Sequence, residues 1–320
     1  MSALNATYLH DEAAAYRFVE ARIWPEGRVC PHCGTMGKSG PLGGNSTRIG
    51  VYKCYACRKP FTVKVGTIFE ASHVKLHIWL QAIFLLCASK KGISSNQLHR
   101  VLGVTLKTAW FMSHRIREAM AGNTAGPLGG FGKIVEADET YFGKVDRPRT
   151  ETTSGRPYSG GKQGRGVANK MTVVSLVERG GAIRSFHVDR ADKQTVASIV
   201  VKNVARGSVL HTDESRLYAG ADGHVSAHKR VHHAAGEYVR GDVHTNTAEG
   251  YFGIFKRGMK GVYQHCREKH LHRYLAEFDF RYNSRSALGV NDEGRAERAL
   301  KGIVGKRLTY RTTHSGKHAP

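Results

Sequence analysis

Cys30, Cys33, Cys54 and Cys57 stand as C-x2-C, a gap of twenty residues, then C-x2-C. A two-residue gap lets both thiolates of one knuckle face the same ion, and two knuckles complete a tetrahedral shell of four sulfurs at about 2.3 Å. The segments CPHCG and CYACRKPF add the small, turn-forming and basic residues of zinc ribbons. Four thiolates leave no open position for a substrate, so the expected Zn2+ is structural. The same spacing fits a disulfide framework, but six cysteines in 320 residues without an apolar leader point to a reducing, cytoplasmic setting. Cys87 and Cys266 lie in apolar or mixed surroundings and read as packing residues.

A different chemistry begins further along the chain. IVEADETYFG is a β-type run holding Glu136, Asp138 and Glu139, and SVLHTD is an apolar strand ending in Asp213. Between them, MTVVSLVER, a Gly-Gly turn and AIRSFHVDR predict a hairpin, and ADKQTVASIVVKNV predicts an amphipathic helix. Strand, strand, strand, helix, strand, with an aspartate on the first strand and another ending the fourth, is the order of a ribonuclease-H-like core. Carboxylates on adjacent strands of one sheet can hold a pair of Mg2+ or Mn2+ ions, which prefer hard oxygen ligands.

The third carboxylate is expected on a later helix. In TNTAEGYFGIFKRGMKG, Ala248, Phe252, Phe255 and Met259 form an apolar face, and Asn246, Glu249, Gly253, Lys256 and Lys260 form a polar stripe beside it. Glu249 and Lys256 lie nearly above one another, roughly 10 Å apart along the axis. One end can complete a metal site while the other holds a DNA phosphate, and Gly253 between them leaves room for close approach. His211 and His244 lie near these acids and read as packing side chains.

Composition limits the partners. Forty-nine Lys and Arg against 26 Asp and Glu give a formal charge of +23, which favours a polyanion and first of all nucleic acid. No run of eighteen apolar residues is present, so no helical membrane span is expected. HVKLHIWLQAIFLLCAS carries helical spacing, and SSNQLHRVLGV with TLKTAWFMSHRIREAM reads as a helix-turn-helix pair, with Ser94 or Ser95 and Thr105 as N-caps and Gly103 in the turn. Its second helix offers Lys107, Thr108, His114, Arg115 and Arg117 to phosphates and base edges. Any three-helix packing unit shows the same apolar spacing; the ribbon before it and the charge favour DNA.

The expected organisation is an α/β protein: a helix and zinc ribbon over residues 1–72, a helix-turn-helix domain over 73–122, and a linker over 123–132. The ribonuclease-H-like domain follows over 133–290 with a basic mobile insert at 144–170, and a basic, partly disordered tail closes the chain over 291–320.

HTNTAEGYFGIFKRGMKGVYQH, KHLHRYLAEFDFRYNSR, VEADETYFG, LHTDES and GISSNQLHRVLGVTLKTAWFMSHRIREAM recur in an order that resembles bacterial insertion-sequence transposases related to the Merlin transposons, over roughly residues 10–285. The resemblance implies a zinc ribbon and helix-turn-helix ahead of a DDE-type core. It further implies an enzyme that binds the terminal inverted repeats of its element and carries out Mg2+-dependent strand cleavage and strand transfer into target DNA, as a homo-oligomer when two ends are paired. Asp138 and Asp213 would be the catalytic aspartates and Lys256 the basic residue after the third acidic position, with Arg257 and Lys260 also facing DNA. Some members of the group carry Asn at the third position, and this chain offers both Asn246 and Glu249; an anionic oxygen holds Mg2+ better than an amide, which favours Glu249. Two other readings stay open at this point: a zinc-ribbon regulator with an inactive core, and a nuclease that does not join strands.

Overall fold

The computed structural model describes residues 3–44, 46–122, 126–147, 156, 169–231 and 239–309. The chain divides into two compact units, one of Met1–Ala121 with Val290–Pro320 and one of Gly122–Gly289.

In the first unit, α1 (Glu12–Ile23) starts where the Asp11 side chain accepts the Ala14 amide at 2.7 Å. The helix leads into Trp24, whose ring packs edge-on against Tyr52 and Phe61 at 6.0 and 5.8 Å, while the Tyr52 hydroxyl donates to Glu20 at 2.9 Å. These contacts seat α1 on a three-stranded antiparallel sheet, β1 (Ser39–Pro41), β2 (Tyr52–Cys54) and β3 (Pro60–Phe61). The alternation in PFTVKVGTIFEAS predicts closing strands, yet pairing with β2 stops at Phe61, and beyond it, among the described residues, only an isolated antiparallel bridge joins Thr67 to Val304. The amides of Val65, Thr67 and Glu70 are spent on local turns to Thr62, Lys64 and Thr67, so Val63, Ile68 and Phe69 are buried from turns instead.

Three helices follow: α2 (Leu76–Ala88), α3 (Ser95–Leu102) and α4 (Leu106–Met120). Ser94 caps α3, Gly103 ends it in the left-handed region at φ 64°, and Thr105 caps α4, as the sequence predicts. The C-terminal segment adds one more helix that the sequence reading places in a partly disordered tail. It spans Asp292–Lys301; Asn291 caps it, and Ala299, Leu300 and Ile303 are buried with the helix packed chiefly on α2. Residues 310–320 lie outside the described residues.

The second unit is built on a five-stranded mixed sheet. Its strands are β4 (Ile134–Phe142), β5 (Met171–Glu178), β6 (Ile183–Val188), β7 (Val209–Thr212) and β8 (Ala227–Arg230), in the order β6-β5-β4-β7-β8. β4, β5 and β6 run antiparallel as a meander, and β4, β7 and β8 run parallel. This is the ribonuclease-H-like arrangement expected from the element order; β8, with its polar AHKR sequence, is the strand that the pattern did not announce.

Strand alternation divides β4 between two cores. Val135 and Ala137 join Val174, Leu176 and Leu210 beneath the helix Lys193–Asn203, through its Val196 and Val200. On the other face Val173, Val177 and Ile183 pack against the helices Asn246–Gly258 and Leu271–Asn283, through Phe252, Phe255, Leu275 and Phe278. The apolar stripe Ala248, Phe252, Phe255, Met259 is wholly buried, so the polar stripe beside it is left towards the surface. Leu128 pairs with Val204, so the expected linker already belongs to this unit. The basic insert connects β4 to β5, and its residues 148–155 and 157–168 lie outside the described residues. Among the described residues no helix is long and apolar enough to cross a membrane.

Candidate active site and metal centre

The four ribbon cysteines converge. Their sulfurs all lie within 4.8 Å of one another, with Cys30 and Cys57 at 3.7 Å and Cys33 and Cys54 at 3.7 Å. A tetrahedron with Zn–S bonds of about 2.3 Å has edges of about 3.8 Å, whereas a disulfide would bring two sulfurs to about 2.05 Å. The donor set and its spacing therefore fit structural zinc. Each knuckle turns through a left-handed residue just after its second cysteine: Gly34 at φ 72° in the first and Arg58 at φ 61° in the second. Arg58 holds a conformation that favours glycine, because the turn requires it.

The carboxylates of the second unit are arranged differently. β4 and β7 pair in parallel with Glu136 beside His211, so two residues further along Asp138 and Asp213 come level on adjacent chains. Asp138 accepts the Glu139 amide at 2.8 Å, and Asp213 accepts the Ser215 amide at 3.0 Å. The Asp138 carboxyl is pushed up to about 8, first by loss of solvation and then by the negative charges of Glu139 and Asp213, with Glu249 adding to the effect. Glu249 is exposed on the first turn of the Asn246–Gly258 helix, where Thr245 Oγ1 donates to its Oε1 at 3.2 Å. Asn246, the first residue of that helix, is also exposed. Among the described residues the cysteine quartet is the one group of metal-ligating side chains within 4.8 Å, so Asp138, Asp213 and Glu249 share a region without closing into a cage.

Lys256 is half-buried and Arg257 and Lys260 are exposed on the same helix and its π-helical continuation Met259–Tyr263. Among the described residues a Cβ built at Gly253 would meet only the Arg257 guanidinium within 4 Å, at 3.9 Å.

Two family models match this chain: a transposase zinc-ribbon domain over residues 10–60 and an ISXO2-like transposase domain over residues 127–283. The chain carries an ISXO2-like transposase domain behind a transposase zinc ribbon. The transposase domain falls within the second unit, and the zinc-ribbon domain covers α1 and β1 to β3. A curated relative, an uncharacterized protein in transposable element ISH50 of Halobacterium salinarum, is 27% identical over 282 residues, covering 86% of this chain and 92% of the relative.

The second half of α4 does not face outward. His114, Arg115 and Arg117 are buried, which corrects their reading as DNA contacts. Arg115 donates to the carbonyls of Ile68 and Glu70 at 2.7 Å each and of Leu308 at 3.1 Å. Arg117 donates to Ser113 Oγ at 3.2 Å, and His114 packs on Trp110 with ring centroids 4.1 Å apart. The cause is the C-terminal helix Asp292–Lys301 together with α2, which cover that half of α4. Lys107 remains exposed and Thr108 half-buried at the helix start.

Sequence reasoning passed over Glu136. This carboxylate is fully buried on the Asp138 face of β4 and accepts the amides of Thr247 and Ala248 at 2.8 and 3.1 Å and the Thr247 hydroxyl at 2.8 Å. Arg179 Nε donates to it at 2.6 Å, and Arg179 also reaches His211 Nδ1 at 3.2 Å. His211 is fully buried and held down to about 4, first by loss of solvation and then by the Arg179 charge. An acid two residues before Asp138, and so on the same face of the strand, was the available signal, since a buried carboxylate requires partners. Glu139, on the opposite face, accepts the hydroxyl of the fully buried Tyr218 at 2.7 Å.

Proposed function

We propose that this protein is a DDE-type DNA transposase that binds the terminal inverted repeats of its insertion sequence and catalyses Mg2+- or Mn2+-dependent strand cleavage and strand transfer. The observation that carries the reading is the parallel register of β4 and β7, Glu136 beside His211, which continued by two residues brings Asp138 level with Asp213, the residue just after β7. Carboxylates gathered in one region offer the hard oxygen ligands that divalent cations such as Mg2+ prefer.

Asp138, Asp213 and Glu249 would hold the ions, with Asn246 as the rival for the third position. When bound, such ions neutralise the phosphodiester and supply an activated water at the element end. Lys256 reaches a phosphate from one helical stripe with Glu249, and Arg257 and Lys260 extend that contact along the backbone. The freed 3′-hydroxyl attacks target DNA in line, and no covalent protein intermediate is needed. Docking falls to the zinc ribbon and to the helix-turn-helix pair α3 and α4, through Lys107 and Thr108 rather than the buried half of α4. Pairing of two element ends implies a homo-oligomer.

The test is an end-DNA cleavage and joining assay with Asp138→Asn, Asp213→Asn, Glu249→Gln and Asn246→Ala side by side. The expected result is loss of both steps in the first three, with end binding kept. Activity lost in Asn246→Ala and kept in Glu249→Gln would move the third position to Asn246; hydrolysis without joined product in the wild type would leave a nuclease.

A further inference from the structure

We infer that Glu136 and Thr245 share the placement of Glu249: Glu136, from β4, caps the Asn246–Gly258 helix, and this leaves the Thr245 hydroxyl to hold the Glu249 carboxylate. The inference rests on the reading of Glu249 as the third acidic position.

The first amides of a helix have no partner within it, and the residue before the helix usually accepts from one of them. Asp11, Ser94, Thr105, Asp192 and Asn291 do so in this chain. Thr245 is of the same chemical type and makes no such bond. Its hydroxyl donates to Glu249 Oε1 at 3.2 Å, while the amides it would have served, those of Thr247 and Ala248, go to Glu136.

Glu136 is itself bonded from two further sides, with His244 nearby. Arg179 Nε donates to its Oε1, His244 Nδ1 lies 3.3 Å from the same oxygen, and the Thr247 hydroxyl completes the set. The other Arg179 nitrogens donate to the carbonyls of Asp242 at 2.7 Å and His244 at 3.0 Å, which fixes the segment leading into the helix. An anion at a helix N-terminus is favoured by the helix dipole, and Arg179 balances its burial. Glu136 and Asp138 lie two residues apart on one face of β4, about 6.8 Å along the strand. The first turn of the Glu249 helix is thus tied at fixed range to the strand that carries Asp138. Glu136 and Thr245 act through Glu249 and are positioning residues.

The experiment uses the full-length, zinc-loaded protein. Glu136→Gln strips Arg179 of its counter-charge and can unfold the domain, so Thr245→Val, which deletes one hydroxyl at constant shape, is the second variant. In the absence of Mg2+, Glu136→Gln should speed amide exchange at Thr247 and Ala248 by roughly tenfold, the loss of a charge-assisted bond. Thr245→Val should leave that exchange unchanged and raise the Mg2+ concentration for half-maximal cleavage by roughly tenfold, with Thr245→Ser restoring it. Unchanged exchange in Glu136→Gln, or a Thr245→Val protein with wild-type Mg2+ dependence, overturns the inference. Glu249→Gln that still cleaves overturns the functional reading instead, and the exchange measurement then decides the cap independently.

Discussion

The zinc ribbon and the transposase domain both gather metal-ligating side chains, and they do so in opposite ways. The cysteine sulfurs already stand at the edge length of a zinc tetrahedron, held by two short knuckles. Asp138, Asp213 and Glu249 come from two strands and a helix far apart in the chain, and no such closure joins them. Asp138 is pushed up to about 8 by burial and by the other acids. The difference separates a site whose work is to hold its own fold from the region that we propose takes ions and substrate.

Five changes break or sharpen that contrast. The largest effect is expected from Cys54→Ser. Structural zinc in small ribbons is worth on the order of 10 kcal/mol, so the variant should lose zinc, unfold residues 24–61 and bind end DNA poorly, while the sheet of the second unit keeps its amide protection. Zinc stoichiometry and hydrogen exchange measure both halves.

Next comes Arg115→Ala, which leaves three carbonyls without their donor. It should cost about 3 kcal/mol in denaturant unfolding of the first unit. Lys107→Ala should leave stability unchanged and lower the salt slope of end binding by about 1, the signature of one lost phosphate contact.

A third test uses a carboxylate that the protein itself satisfies. Asp279 accepts from the Ser185 amide and hydroxyl, both at 2.7 Å, and from the Tyr251 hydroxyl at 2.6 Å, yet loss of solvation still pushes it up to about 6. A raised carboxyl favours the folded state while protonated. Its contribution is therefore full below about pH 4 and is lost as pH rises to 6, by up to about 1.4 kcal/mol per pH unit. Unfolding followed across that window should show the slope, and Asp279→Asn should flatten it.

Arg58→Gly should have the smallest effect, a gain of under about 1 kcal/mol in the zinc-loaded ribbon, since relief of the left-handed strain is offset by the greater freedom of glycine when unfolded.

Local spacing made the zinc centre legible, because all four ligands fall within twenty-eight residues and their geometry is set by two turns. The core strands were legible for a similar reason: β5 is an uninterrupted buried run and the Gly-Gly turn fixes its hairpin with β6. What sequence could not show depends on elements that return from afar. The second half of α4 looked like a basic recognition surface until the Asp292–Lys301 helix covered it, and that helix announces itself by only Ala299 and Leu300 in its buried face. Glu136 looked like one acid among three, since its partners lie 43 and 111 residues away. Glu249 and Asn246 were correctly placed on one exposed stripe, while the bond that sets Glu249 apart, from Thr245, is a matter of which donor is left free.

The most direct test of the division between docking and cutting is one assay on Asp213→Asn and Cys54→Ser proteins, scoring end-DNA binding and Mg2+-dependent cleavage together. Asp213→Asn should bind its element end as the wild type does, with a full complement of zinc, and cut nothing. Cleavage by Asp213→Asn, or loss of its end binding with zinc retained, would contradict the account.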